Sequence, residues 1–159
     1  MQRVNAILSH PRFTECLGRT EELERDREFC THDMDHLLDV ARIAYILGLE
    51  SGQGQGADKE LFYAAALLHD IGRWRQYEDG TPHEQESARI AQTILPECGF
   101  DSAETELILD AIASHRTHVG EKPGFAGFLY RADKLSRRCF DCAAIRECDW
   151  ETKNTLLEY

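Results

Sequence analysis

The chain has 159 residues, 29 of them acidic and 18 Lys or Arg, for a net charge of −11 with histidine neutral. That length suits one domain with a buried core, and a strongly acidic surface argues against a nucleic-acid polymer as main partner, because phosphate backbones need clustered basic residues. No apolar run approaches the roughly 20 residues of a membrane span, so no membrane partner is expected.

The N-terminal sequence MQRVNAILSHPRF lacks the charged flank, long apolar core and cleavage site of an export signal. A cytoplasmic location is therefore expected, and the six cysteines read as thiols or metal ligands rather than disulfides.

In chain order, a polar helix is expected over 13–28. The stretch DMDHLLDVARIAYILG places Leu37, Ala41, Ala44 and Leu47 on one helical face and is expected to stop at Gly48. SGQGQG then reads as a flexible connector. DKELFYAAALLHDIG is apolar on most faces, which suits a central helix ending at Gly72. A polar loop should lead to TPHE, with Thr81 as N-cap, Pro82 at the first helical position and Glu84 closing a capping box. That helix is expected to end before Pro96. The next repeats the logic with Asp101 as cap and Glu104 three residues on. A further helix over 126–137 and a short one after Trp150 would complete an all-α bundle of six or seven helices. No repeat or low-complexity tract interrupts it.

Onto this frame falls a set of side chains with metal chemistry: His36, His69, Asp70, His83, His115 and Asp133. Burying a carboxylate beside an imidazole is costly unless both are paired. Mixed nitrogen and oxygen donors suit borderline or hard divalent ions. Each residue also has a simpler reading. His69 and Asp70 could be a hydrogen-bonded pair, His83 a solvated or capping residue, His115 a core histidine, and Asp133 a partner of Arg131 or Arg137.

HLLDVARIA, ALLHDIG and ADKL resemble the three signatures of the HD-domain metal-dependent phosphohydrolases: a His, a His-Asp pair and a distant Asp. The resemblance implies one HD domain over 1–159, with its core at about 33–135. It also implies a compact all-α bundle of the HD type. His36, His69, Asp70 and Asp133 match the ligands of the mononuclear form. His36 is preferred to His32 because it precedes Leu37-Leu38-Asp39-Val40-Ala41, the family spacing to Val-Ala. His83 and His115 match the additional histidines of binuclear branches, in which Asp70 would bridge two ions. Those branches include cyclic-dinucleotide and dinucleoside-polyphosphate hydrolases and the iron oxygenases of the same fold.

The resemblance thus implies a phosphohydrolase, a monoesterase or a diesterase, using one or two divalent ions (Fe, Mn, Mg, Co, Ni or Zn). Its expected substrate is a nucleotide or other small phosphorylated metabolite. A di-iron oxygenase and a non-catalytic nucleotide-sensing module are the alternatives.

Asp70 and Arg73 are the expected catalytic groups. Arg73 is the expected phosphate contact, with Lys134 second, since a guanidinium matches phosphate oxygens. The other reading of Arg73 is a surface cation at a helix end. His32 and His118 are further candidate substrate groups. Trp74 and Tyr77 could stack a base or simply anchor their loop.

Loops 51–57, 73–82 and 118–125 are expected to shape the pocket. Cys139 and Cys142 form a Cys-x-x-Cys pair; with Cys148 and Cys30 they could hold structural zinc or, less readily, an iron–sulfur cluster, the alternative being free packing thiols. A homodimer is left open.

Overall fold

The run Ala64 to Leu68 is wholly buried, and its three alanines let other helices approach closely. A computed structural model describes residues 1–52, 58–117 and 124–159. Those residues form eight α-helices and no strand: α1 Gln2–Ser9, α2 Pro11–Leu23, α3 Met34–Glu50, α4 Lys59–Leu68, α5 Arg73–Asp79, α6 His83–Glu97, α7 Ser102–Ser114 and α8 Phe125–Leu135. A 3₁₀ turn follows at Cys139–Asp141. Helix α4 packs against α1, α3, α6, α7 and α8, while α3 and α7 also pack on α8. The central position expected for it is what its apolar surface dictates.

Several expected boundaries are corrected. The helix expected over 13–28 is α2, which starts at Pro11 and stops at Leu23; a further helix, α1, precedes it, and the His10 ring accepts the Arg12 N–H at 3.1 Å to cap the break between them. Helix α3 passes through Gly48 to Glu50. A Cβ at Gly48 would sit 2.6 Å from Cζ of Phe62, so this glycine admits an aromatic ring from α4 rather than ending a helix. Helix α4 ends at Leu68 with His69 as its C-cap, short of Gly72.

The polar stretch after Gly72 is helix α5, closed by Gly80 in the left-handed region at φ 80°. It buries only Trp74, over which the Arg19 guanidinium stacks at 3.6 Å. Thr81 does not cap α6. It donates from N and Oγ1 to Asp79, and Pro82 occupies the cap position with no side-chain bond. Pro96 lies inside the last turn of α6, where a missing N–H costs one bond at most. Helix α8 closes at Leu135 instead of 137.

After Trp150 no helix forms among the described residues. Instead Arg137 stacks on Trp150 at 3.7 Å, and Asn154 Nδ2 donates to the carbonyls of Lys134 and Arg137 at 2.6 and 3.2 Å. The tail thereby satisfies the open carbonyls at the end of α8. The capping box of Asp101 and Glu104 is present as expected. So is the buried face of Leu37, Ala41, Ala44 and Leu47. The SGQGQG connector and the 118–125 loop fall mainly outside the described residues.

Gly72 sets how the site is assembled. A Cβ there would lie 2.4 Å from the backbone N of Ser87, and the Gly72 N–H donates to Ser87 Oγ at 2.9 Å. Only glycine allows the turn after His69-Asp70 to press against the first turns of α6, which carry His83.

Candidate metal centre

Four helix ends and α8 bring the six expected residues together. His36 lies in the first turn of α3, fixed by Asp33, whose carboxylate accepts the His36 N–H at 3.0 Å. His69 caps α4, His115 caps α7, and His83 opens α6. Asp133 is on α8.

His36, His69, Asp70 and Asp133 offer ligand atoms that all lie within 4.8 Å of one another, and so do Asp70, His83 and His115. Asp70 belongs to both groups and divides its oxygens between them. Its Oδ2 faces Nε2 of His69 at 3.4 Å and of His36 at 3.8 Å. Its Oδ1 faces Nε2 of His83 at 3.0 Å and of His115 at 3.6 Å. Asp133 Oδ1 stands 3.7 Å from His36 Nε2 and 3.9 Å from His69 Nε2. Metal bonds of about 2.0–2.2 Å place neighbouring donors roughly 3–3.5 Å apart, so the spacing is that of a slightly open coordination shell.

The tautomers agree with this reading. His69 Nδ1–H donates to the Ala66 carbonyl at 2.6 Å and His115 Nδ1–H to the Ile112 carbonyl at 2.7 Å. His83 Nδ1–H meets Gln76 Oε1 at 2.5 Å. His36 Nδ1 meets Ser136 Oγ at 3.3 Å, and that hydroxyl spends its own proton on the Asp133 carbonyl. Each ring is thus anchored through Nδ1 and turns Nε2 inward as a lone pair, the arrangement a metal-binding histidine needs.

The inward atoms are left wanting. His36 Nε2, His69 Nε2 and Asp70 Oδ1 are buried with no hydrogen-bond partner among the described residues, although Oδ1 has His83 at ion-pair distance. Nε2 of His83 and of His115 face each other at 3.2 Å. Buried polar atoms are rarely left so. A divalent cation in each group would satisfy every one of them, so the donor set fits a metal.

The field points the same way. Burial opposes charge on Asp70, but the surrounding histidines, His69 foremost, hold its carboxyl well below the usual range. Asp133 is likewise depressed, with Lys134 and His69 outweighing burial. Burial lowers His36 and His115, but Asp70 and Asp133 overcome it and raise both. His83 is lowered, mainly by burial. Two buried carboxylates that attract protons onto neighbouring imidazoles would attract a metal ion more strongly.

The centre opens into a cavity of about 420 Å³, lined among others by His32, Arg73, Lys134, Arg137 and Trp150. Arg73 is not a surface cation. Its Nη1 lies 3.8 Å from Asp70 Oδ1 and 3.2 Å from His83 Nε2, beside the second group. Lys134 pairs with Asp133 and lies 5.7 Å from the Trp150 ring centre. Tyr77 anchors rather than stacks: its hydroxyl donates to Glu24 and accepts from Arg73 Nε at 3.3 Å. His118 lies outside the described residues.

Three of the four expected cysteines, Cys30, Cys142 and Cys148, line the same cavity. Cys30 is exposed, Cys139 buried, and Cys142 and Cys148 half-buried, all as free thiols. Among the described residues they form no group with donor atoms within 4.8 Å of one another.

Gln76, Ser136 and Glu24 also serve the site and were not singled out in the sequence. Gln76 carries no signal, lying six residues from Asp70 and seven from His83, and Ser136 carries none beyond its place one turn after Asp133. Glu24 is hidden in the charge-rich run RTEELERDRE, which reads as a solvated face.

The chain belongs to the HD domain family, whose model matches residues 33–138. At the level of that family, the fold and the site are those of metal-dependent hydrolases. A structure of a predicted HD superfamily hydrolase from an uncultured Thermotogales bacterium aligns with a TM-score of 0.58 at 31% identity, over 79% of this chain and 68% of that one. An uncharacterized protein of Clostridium beijerinckii is 45% identical over the full length of both chains. Ribonuclease Y of Enterococcus faecalis is 29% identical over 84% of this chain, which spans only 23% of that protein. No helix among the described residues is long and apolar enough to cross a membrane.

Proposed function

We propose that this protein is a phosphohydrolase, cleaving a phosphomonoester or phosphodiester of a nucleotide or another small phosphorylated metabolite. The observation that carries this reading is the division of the two Asp70 oxygens between two histidine-containing groups, with the Arg73 guanidinium beside one of them.

His36, His69, Asp70 and Asp133 would hold one ion, and Asp70, His83 and His115 a second. Ions held there supply an acidified water and a Lewis-acidic contact for phosphoryl oxygen. Arg73 binds phosphoryl oxygens and answers charge that develops in the transition state. Lys134 offers a second cation across the cavity. Tyr77 fixes the Arg73 side chain from behind, and the Nδ1 anchors keep all four ligand rings in one orientation. The cavity admits a nucleotide-sized molecule, and the net charge of −11 disfavours a long polyanion. Ribonuclease Y is by name a nuclease. Phosphodiester cleavage is the chemistry it would share with this chain, on a smaller ester here. A cytoplasmic setting suits such a substrate.

The test begins with metal identity and ions per chain in protein purified without air or chelator. Ester hydrolysis, read as phosphate or as the alcohol released, and oxygen uptake are then followed over a panel of nucleotides and aryl phosphates. Two ions with ester hydrolysis support the reading. Oxygen consumption with substrate loss and no ester hydrolysis would replace it with a di-iron oxygenase, which the shared Asp70 also suits. Tight nucleotide binding without turnover under several metals would leave a sensor.

A further inference from the structure

The family match begins at residue 33, yet two residues ahead of it reach the centre. Glu24 follows α2 and is 3% exposed. Its carboxylate accepts the His32 backbone N–H at 2.6 Å, the His32 Nδ1–H at 2.6 Å and the Tyr77 hydroxyl. Burial works against its charge, but the His32 and Tyr77 donors outweigh it and hold the carboxyl below its usual range. With Nδ1 committed to Glu24, the His32 ring must turn Nε2 the other way. That atom lies 3.8 Å from Asp70 Oδ2, too far for a hydrogen bond. The ring stands edge-on to His36 at 5.4 Å. His32 is not a member of either metal-type group but lines the cavity in front of the first.

We infer that Glu24 is a positioning residue: it holds His32 so that Nε2 accepts a hydrogen bond from the attacking water, and through Tyr77 it steadies Arg73 on the other side of the phosphoryl group. The inference rests on the phosphohydrolase reading. It also gives the N-terminal helices a task at the site. Glu24 and His32 are eight residues apart, in the turn that joins α2 to α3, so the conformation of that turn and the aim of His32 are set by one carboxylate.

The test uses zinc-loaded protein, which is diamagnetic. Long-range ¹H–¹⁵N spectra of the imidazoles report the tautomer of His32. Turnover of bis(4-nitrophenyl) phosphate is measured beside it. In wild type His32 carries its proton on Nδ1. Glu24→Leu should lose that preference, with kcat lowered about 10-fold and KM within about two-fold. Glu24→Gln, which keeps one acceptor, should fall between the two. His32→Asn retains a donor for Glu24 but removes Nε2, and should lower kcat by no more than Glu24→Leu does, with zinc content unchanged. Because Glu24 acts through His32, the double variant should be no slower than the worse single one.

An unchanged His32 tautomer in Glu24→Leu, multiplying effects in the double variant, or zinc loss in His32→Asn would each overturn the inference. Should Glu24→Leu fail to fold, wild-type turnover in His32→Asn would overturn it alone. Wild-type protein that turns over no ester overturns the hydrolase reading, and the water-placing role with it, a result distinct from wild-type rates in His32→Asn.

Discussion

Two clusters of charge hold this molecule together, and they are built on opposite plans. At the N-terminal corner, Arg3 donates from Nε to Glu60 at 2.8 Å and from Nη1 to Glu104 at 2.7 Å, and it pairs with Asp58 through Nη2. That cluster brings its own cation and ties α1 to the starts of α4 and α7. The Asp70 centre gathers two carboxylates and four imidazoles, and leaves His36 Nε2, His69 Nε2 and Asp70 Oδ1 without hydrogen-bond partners among the described residues. A set of donors complete within the chain serves stability. A set left short of a cation serves a ligand, because unpaired buried polar atoms are otherwise a standing cost.

The contrast is sharpest at Asp70. Asp70→Asn should abolish metal retention and lower ester hydrolysis by about 10³-fold or more, while helix content by circular dichroism stays near wild type. Wild-type activity in that variant would erase the distinction between the clusters. Arg73→Ala should lower kcat about 10²-fold with metal content unchanged, since it removes a charge-answering group and no ligand. A change in KM alone would make Arg73 a binding group only. His83→Ala should cost one of two ions per chain and about 10- to 100-fold in activity, read by elemental analysis beside kinetics.

Removing metal from wild type with a chelator should lower thermal stability. The effect is about 2.7 kcal/mol when free metal had stood at 100 times Kd, and it should be absent in Asp70→Asn. Arg3→Ala should do the reverse of all these. Metal and activity should remain, with a loss of about 1–2 kcal/mol and a Tm lower by about 2–8 °C at pH 7. The Arg3 hydrogen bonds outweigh burial and hold Glu60 at about 2, below its ordinary 4.5. A depressed carboxylate contributes its full share above the unfolded value and loses it as pH falls through the folded one. The penalty of Arg3→Ala should therefore shrink between pH 5 and pH 3, followed by denaturant unfolding.

The sequence carried the centre's ligands better than its framework. His69 and Asp70 stood out because an apolar helix has no other use for them. Asp101 with Glu104 predicted its cap because that motif is complete within four residues. Helix α5 looks like a loop in the sequence because a seven-residue helix with one buried side chain shows no periodicity. Pro96 and Gly48 suggested helix ends from local propensity, which packing and position in the last turn overrode. Glu24 was invisible for a different reason: its partners are eight and 53 residues away, and nothing in its neighbours marks the one buried carboxylate of a charged run.

The contact at Gly72 has a consequence for how the centre can change. The gap between the His69-Asp70 turn and the start of α6 has no room for a Cβ at residue 72, which would meet the Ser87 N at 2.4 Å, the Glu86 carbonyl carbon at 2.8 Å and the Glu86 Cβ at 2.9 Å. The two donor groups are held at a fixed gauge, and selection can exchange the ligands on either side far more freely than it can alter the distance between them. A single methyl at residue 72 would act as a shim: it would move His83 away from Asp70 and break apart the two-ion arrangement without touching any ligand.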